Sequence, residues 1–460
     1  MNHERVDVAI VGAGMAGLTA ARDLLAAGRS VVLLEARDRV GGRLLNHTFS
    51  DGTVVELGGQ WIGPTQDRAL ALAQKLGVEL FASHDEGDNV LQFNGEAHRF
   101  QGESFGFGGE DLEDIGRLQE EMERLAATVD LTAPWDTPNA PALDGQTADA
   151  WLVENSRTEA GLRFWRALVP AIISAEANET SLLHWLFYVK SGGMVDMLVA
   201  TAGGAQESRI VGGSQRLATE LADQLGEVVR TGCPVSAIAH AADQVHVTHA
   251  GGEIAAERVV VAIPPVLAGR IRYMPALSPH RDHLTQNVPM GWVIKIQVAF
   301  DEPFWRNDGL SGFVVSLDHP VSVMFDNSPP DLRSGVLLGF LEGDQARKAT
   351  LLTPADRKAL VLSNFAEVFG YAAGHPREYV EQNWAAEEWS RGCYAGRLTP
   401  NAWTQYGPTL RQPIGALHFA GTETSDIWNG YIDGAVRSGE RVAAEILELL
   451  SPRAQAGVTE

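Results

Sequence analysis

The sequence predicts an α/β fold in which a Rossmann-type dinucleotide-binding domain is interleaved with a second domain of mixed sheet and helices. Three observations predict it. A glycine triplet, Gly12, Gly14 and Gly17, follows an apolar run at residues 6–11 and opens a small-residue helical stretch at 15–27. The chain has 460 residues, more than one hydrophobic core usually organises. Short apolar runs at 293–300, 311–317, 321–325 and 336–341 suggest a second, mixed sheet far along the chain from the first.

The elements follow in order. Residues 31–34 form the second strand, ended by Glu35, and helices are expected at 66–76 and, amphipathic, at 111–129. Residues 132–146 hold three prolines and read as a connection. A helix-rich stretch runs from 148 to about 190, with Trp151, Trp165 and Trp185 in the core. Ser214, after Gly212 and Gly213, is placed as the cap of a helix ending at Leu225. Strands follow at 228–231, 244–248 and 258–263, the last stopped by Pro264 and Pro265. Residues 354–369 are helical, 417–420 form a strand and 434–449 an amphipathic helix. No internal repeat is present. The dinucleotide-binding domain is assigned residues 1–85, 208–288 and 385–450. The second domain takes 86–207 and 289–384, and 451–460 is a polar tail.

Composition narrows the function. With 45% hydrophobic and 21% charged residues the chain reads as a soluble globular protein. A formal net charge of -23 argues against a nucleic-acid partner, since phosphate binding needs a basic surface. Residues 8–21 resemble a signal-peptide core in composition, but Glu4 and Asp7 precede them and the glycine pattern explains them better. No apolar run reaches the length of a membrane span. Two cysteines, Cys233 and Cys393, build no disulfide framework, and a reducing, cytoplasmic location is expected. No metal site is expected.

The spacing of the triplet has a physical reason. The first glycine makes the tight turn, the second lets backbone approach a pyrophosphate, and the third lets helix and strand pack closely. The phosphates then sit at the positive end of the helix. Glu35 closes the second strand near the expected distance and can accept hydrogen bonds from ribose hydroxyls. This pattern alone does not separate FAD from NAD.

Further motifs do. Residues 35–43, EARDRVGGR, extend the fingerprint with Arg37, paired glycines ending at Gly42, and Arg43 as a cation for phosphate; 56–61 read ELGGQW. Residues 419–424, FAGTET, precede 430–436, GYIDGAV, and GPTQ, VGGS, VIK, PFW and GCY occur between in order. Over residues 6 to about 447 the chain resembles the flavin-containing monoamine oxidase family, in its soluble bacterial type. The resemblance implies the amine oxidase fold, FAD as cofactor, and oxidation of an amine by oxygen to an imine, with hydrogen peroxide. A homodimer is common in that family.

It also implies roles for residues. Tyr394 and Tyr431 flank the substrate nitrogen before the flavin, and Lys295 holds a water at flavin N5. FAD contacts extend to Gly59, Gln60, Trp61, Val235, Trp384, Gly421, Thr422, Glu423 and Ile432. Cys393 matches the cysteine that carries the flavin as a thioether in mitochondrial members, while some soluble relatives hold FAD without a covalent bond; attachment through Cys393 is the expectation. The pocket is expected to be lined by Ala171, Ile172, Leu198, Val199, Gln206, Val323 and Phe340, an uncharged set favouring an apolar primary monoamine. The rival readings are an amino-acid oxidase, a desaturase and a catalytically silent FAD-binding scaffold.

Overall fold

In the computed structural model, which describes residues 4–102, 105–241 and 244–450, the opening apolar run is the strand Glu4–Val11, buried from Val6 onward. It pairs in parallel with Val31–Leu34 on one side and Gly252–Val261 on the other. Val229–Arg230 extends the sheet beyond Val31–Leu34, and Leu417–Phe419 pairs in parallel with Gly252–Val261. Val245–His249 and Val235–His240 continue it antiparallel, with Arg272–Met274 at the edge. A parallel sheet covered on both faces needs strands that are apolar throughout. Val31–Leu34 is buried at every position.

Successive side chains of Glu4–Val11 feed different cores. Val8 and Ile10 pack with Leu18 and Leu24 of helix Met15–Ala26 and with Val442 and Ile446 of helix Ile432–Leu449. Ala9 and Val11 pack with Ile238, Val247 and Phe419. The first and last helices touch through Gly439, where a Cβ would stand 2.4 Å from the Ala16 carbonyl oxygen. No larger residue fits that contact.

The second sheet has seven strands, ordered Glu378–Asn383, Val293–Phe300, Gly335–Glu342, Val323–Asp326, Leu310–Ser316, Asp88–Phe93, Glu96–Phe100. All neighbours are antiparallel except Leu310–Ser316 with Asp88–Phe93. Helices Gly109–Ala127, Glu159–Ile173 and Leu182–Ser191 form a separate core, with Trp151, Trp165 and Trp185 buried in it. Among the described residues no helix is long and apolar enough to cross a membrane.

Several expectations are corrected. Residues 132–146 are not bare connection, since a 3-10 turn, Pro134–Asp136, and a short helix, Ala140–Asp144, form within them. Ser214 does not cap the following helix, which begins at Arg216; its hydroxyl donates to the Gly59 carbonyl instead. Residues 262 and 263 lie beyond their strand, which starts earlier, at Gly252. Strands Asp88–Phe93, Glu96–Phe100 and Glu378–Asn383 were not expected. The last is half-buried at every position, as an edge strand can be, and carries no apolar run. The assigned polar tail lies outside the described residues.

The Gly439 contact makes a prediction. Gly439→Ala should lower stability by about 1–3 kcal/mol through overpacking. Gly116→Ala, at a half-buried helix position where a Cβ meets nothing within 4 Å, should instead stabilise by up to about 1 kcal/mol. Urea midpoints of the two variants against the parent chain test both.

Candidate active site

The glycine turn is built as the spacing requires. Gly12 takes φ +100°, and a Cβ there would meet the Ala262 carbonyl oxygen at 2.9 Å. At Gly17 a Cβ would fall 2.0 Å from the Gly12 carbonyl oxygen, so this glycine seats the helix on the turn and does not reach the cavity. Around Gly14 there is open space. Glu35 is buried, and its carboxylate accepts from the backbone N–H groups of Ala13 (2.8 Å) and Arg37 (3.0 Å). That fixes the acid at the mouth of the turn. The Arg37 guanidinium binds Glu35, Glu387 and Ser390.

Arg43 crosses to the far end of the chain. Its guanidinium donates to both carboxylate oxygens of Glu423, at 2.6 and 3.1 Å, and to the Tyr394 carbonyl oxygen at 2.8 Å. Burial alone would raise the Glu423 pKa; Arg43 overcomes it and holds the carboxyl below its usual range.

Lys295 is buried. It sits on an interior strand, between Gly335–Glu342 and Glu378–Asn383, and its side chain faces the cavity rather than bulk solvent. Nζ donates to the Gly58 carbonyl at 2.7 Å and to Gln60 Oε1, and lies 5.5 Å and 5.6 Å from the ring centres of Trp61 and Phe340. Burial lowers its pKa to about 7, against the opposing pull of Glu56. Behind it a chain of hydrogen bonds runs from Gln60 Nε2 to Asn327 (2.8 Å), from Asn327 Nδ2 to Gln297 (3.0 Å), and from Gln297 Nε2 to the Glu56 carbonyl (2.9 Å). The Glu56 carboxylate is paired with Arg209 at 3.0 Å. A connected buried network of this kind fixes the side chains it contains.

One cavity joins these parts. It runs from Gly12, Gly14 and Gly42 past Glu35, Arg37, Arg43 and the segment Gly59, Gln60, Trp61 to Lys295, and is closed by Gly421, Thr422 and Ile432. Cys393, Tyr394 and Tyr431 line it further in. Burial pushes the Cys393 thiol up to about 12. Beyond the tyrosines the walls are Ala171, Ile172, Leu198, Val199, Gln206, Val323 and Phe340. Its lining extends from the glycine turn past the tyrosines to the residues beyond them, a length that can take a cofactor and a substrate end to end. Among the described residues no group of three or more His, Cys, Asp or Glu side chains is arranged to hold a metal.

Four residues expected at the cofactor are not among those that line the cavity. Gly17 is packed under the turn. Glu423 is taken up by Arg43. Val235 begins a strand on the far face of the first sheet, in the core that also includes Cys233. Trp384 is buried, and its Nε1 donates to the Leu57 carbonyl at 2.7 Å, bracing the segment before Gly59 from behind. The expectation of an uncharged pocket is also corrected: Glu342 and Ser322 are in the wall beside Phe340. Tyr188, whose ring centre is 6.1 Å from that of Tyr431, and Phe325, at 5.0 Å from Trp61, were missed as well. Neither lies in a motif. Glu342 closes an apolar run and, by sequence, looks like an ordinary strand end.

Comparison with known proteins decides the family. The profile described as flavin containing amine oxidoreductase matches residues 15–447. The chain belongs to this family. The amine oxidase is 40% identical over 445 residues to AofH of Mycobacterium tuberculosis, named as a flavin-containing monoamine oxidase, with 97% of each chain covered. It is 37% identical to an L-amino acid dehydrogenase of Synechocystis, covering 96% of this chain and 95% of that one. A solved putrescine oxidase, a mutant from a redesign of cofactor binding that exchanges an alanine for cysteine, superposes with a TM-score of 0.94 at 34% identity, over 97% of this chain and 100% of the other. The amine oxidase is therefore an FAD enzyme, and the open space at Gly14 together with the fixed carboxylate of Glu35 suits a dinucleotide.

The buried lysine of the amine oxidase gives a pH signature. Between its folded pKa of about 7 and the ordinary lysine value of about 10.4, the unfolded chain carries a proton at Lys295 that the folded chain lacks. Stability from this residue therefore rises with pH through that window, and below it no further change is expected. Denaturant unfolding of the FAD-free protein should show the parent gaining on Lys295→Met as pH is raised from 7 to 10. A difference flat across that range would contradict it.

Proposed function

We propose that this amine oxidase uses oxygen to oxidise a primary monoamine with an apolar tail, giving an imine that hydrolyses to an aldehyde or ketone, with hydrogen peroxide as second product. The observation that carries the reading is the single cavity with a dinucleotide cradle at one end, two tyrosines and a buried lysine midway, and mostly apolar walls beyond. When bound, FAD supplies the two-electron oxidation of the amine and the return of those electrons to oxygen. The chain's own residues bind, orient and exclude water.

We assign Gly12, Gly14 and Gly42 to the phosphates, at the positive end of helix Met15–Ala26, with Arg43 and Arg37 supplying charge and Glu35 taking the ribose. Gly59, Gln60, Trp61, Gly421, Thr422 and Ile432 line the remaining length. Tyr394 and Tyr431 present aromatic surface to the substrate nitrogen and strip it of water, which favours the neutral amine that can be oxidised. Lys295, held at Gly58 and Gln60, places a donor at the reacting edge of the ring system. Ala171, Ile172, Leu198, Val199, Val323 and Phe340 take the tail. The cysteines are unpaired, in keeping with a cytoplasmic location.

The relatives include proteins named for a monoamine, a diamine and an amino acid, so the cavity has to choose among the classes. A substrate carboxylate needs a free cation. The cations lining this cavity are Arg37, Arg43 and Lys295, all already engaged and all on the cofactor side. The tail side carries an acid, which would repel a carboxylate.

Anaerobic titration of the FAD-loaded protein with alkylamines should bleach the flavin band, and air should restore it. L-Amino acids of matched size should bleach it at least tenfold less readily; the reverse order would favour an amino-acid enzyme. A second expectation concerns Cys393, which we propose carries FAD covalently, as the cysteine introduced into the putrescine oxidase concerned its cofactor. Acid-precipitated protein should keep its yellow colour, and Cys393→Ala should release it to the supernatant.

A further inference from the structure

The tail side of the cavity contains one carboxyl group, Glu342, and neither element it joins accounts for its orientation. Glu342 ends strand Gly335–Glu342 and occupies the cap position of helix Gly343–Thr350. Ser, Thr, Asp or Asn there commonly accepts a hydrogen bond from the first turn of its own helix, and Glu is not one of these capping residues. Glu342 accepts none. Glu176 does so in its place, its Oε1 accepting from the Asp344 N–H at 2.7 Å. Gly343, at φ +51°, makes way for it, since a Cβ would stand 2.2 Å from Glu176 Oε1.

Glu342 turns instead into the cavity wall. It is 3% exposed, with Oε1 accepting from the Tyr394 hydroxyl at 2.6 Å and Oε2 from the Ser322 hydroxyl at 3.0 Å. A carboxylate offers about four acceptor positions, so each oxygen retains capacity. Among the described residues no cation stands within ion-pair distance of it. A buried acid without a cation is costly unless something else satisfies it. Burial, reinforced by Glu176, raises its pKa to about 7 despite the two donors.

We propose that Glu342, with Ser322 and Tyr394 holding it in place, is a specificity-determining subsite that accepts a hydrogen bond from a second donor group, a hydroxyl or an amino group, on the otherwise apolar tail of the amine. This rests on the reading of the cavity as the substrate site of an amine oxidase. It refines that reading, because a plain alkylamine leaves the remaining acceptor positions unused. A hydrogen bond to a charged acceptor in a dry site corresponds to about tenfold or more in affinity.

The test compares an alkylamine, an amino alcohol and a diamine of equal chain length on FAD-loaded parent, Glu342→Gln, Glu342→Leu and Ser322→Ala, each checked for an unaltered flavin spectrum. KM and kcat are measured separately, with flavin bleaching as the binding readout. The parent should favour at least one donor-bearing substrate over the alkylamine by about tenfold in KM, and Glu342→Leu should abolish that ratio. Glu342→Gln should keep the preference for the amino alcohol, whose hydroxyl the amide oxygen can accept, if hydroxyl is the natural donor; it should lose the preference for the diamine if the donor is an ammonium. Ser322→Ala should weaken the ratio. Equal KM ratios in parent and Glu342→Leu, or a fall in kcat shared by all three substrates, would reduce Glu342 to a support for Tyr394 and overturn the proposal. A parent flavin that no amine bleaches would instead overturn the amine-oxidation reading itself, and the subsite with it.

Discussion

The site depends on a buried ion pair between residues 380 positions apart. Arg43 leaves the glycine-rich segment near the start of the chain and binds both oxygens of Glu423 near its end, while also holding the Tyr394 carbonyl. Glu423 in turn accepts from the Gly396 N–H at 3.1 Å. Three stretches that share no local interaction are thus set against one cavity. A buried pair adds little net stability when measured against apolar replacement, but removal of either member leaves a charge with no partner. Its effect here is geometric. The glycine turn and the tyrosine at position 394 are linked through one segment, since Gly41 N–H donates to the Ala13 carbonyl and the Arg43 guanidinium to the Tyr394 carbonyl.

Within that frame the cavity combines two kinds of surface. Around Lys295 the polar side chains are linked to one another, through Gln60, Asn327, Gln297 and the Glu56–Arg209 pair. Beyond Phe340 the walls are almost wholly hydrocarbon and aromatic. A lysine near neutrality needs such a setting: burial removes its proton more easily, and the network stops the side chain from escaping. The apolar end excludes water from whatever lies against the tyrosines. Glu342 is the exception to the division, an acid on the hydrocarbon side.

The parts of this architecture that are written locally could be read from the sequence. The glycine triplet, the all-apolar strand 31–34 and the acid at 35 each follow from what their own backbone must do. The strands from 293 to 342 were also plain, because a sheet packed on both faces spells itself in unbroken apolar runs. What stayed hidden depends on partners distant in sequence. Glu378–Asn383 is polar because it borders the sheet, so only its neighbour Val293–Phe300 makes it a strand. Ser214 looks like a cap until Gly59 is brought beside it, and nothing near Trp384 in sequence shows that its N–H goes to the Leu57 carbonyl. Glu342 could not be recognised as part of the cavity wall, because the hydroxyls it meets there, those of Tyr394 and Ser322, lie outside its own strand and helix. One signal was present and passed over: Asn94-Gly95, with φ values of 57° and 78°, is the two-residue hairpin turn that joins Asp88–Phe93 to Glu96–Phe100.

The contact between the first and last helices bears on how such a chain comes into being. Helix Met15–Ala26 emerges early in synthesis, yet the surface it needs, Ile432–Leu449, is translated some four hundred residues later, roughly 20–80 s at ordinary elongation rates of about 5–20 residues per second. Strand Gly252–Val261 likewise waits for Leu417–Phe419. During that interval the apolar stripe carrying Leu18 and Leu24 has no permanent cover. The nascent chain keeps that stripe uncovered until helix Ile432–Leu449 is made, and a ribosome that stops short of this helix releases a polypeptide with the dinucleotide fingerprint intact but no closed core around it.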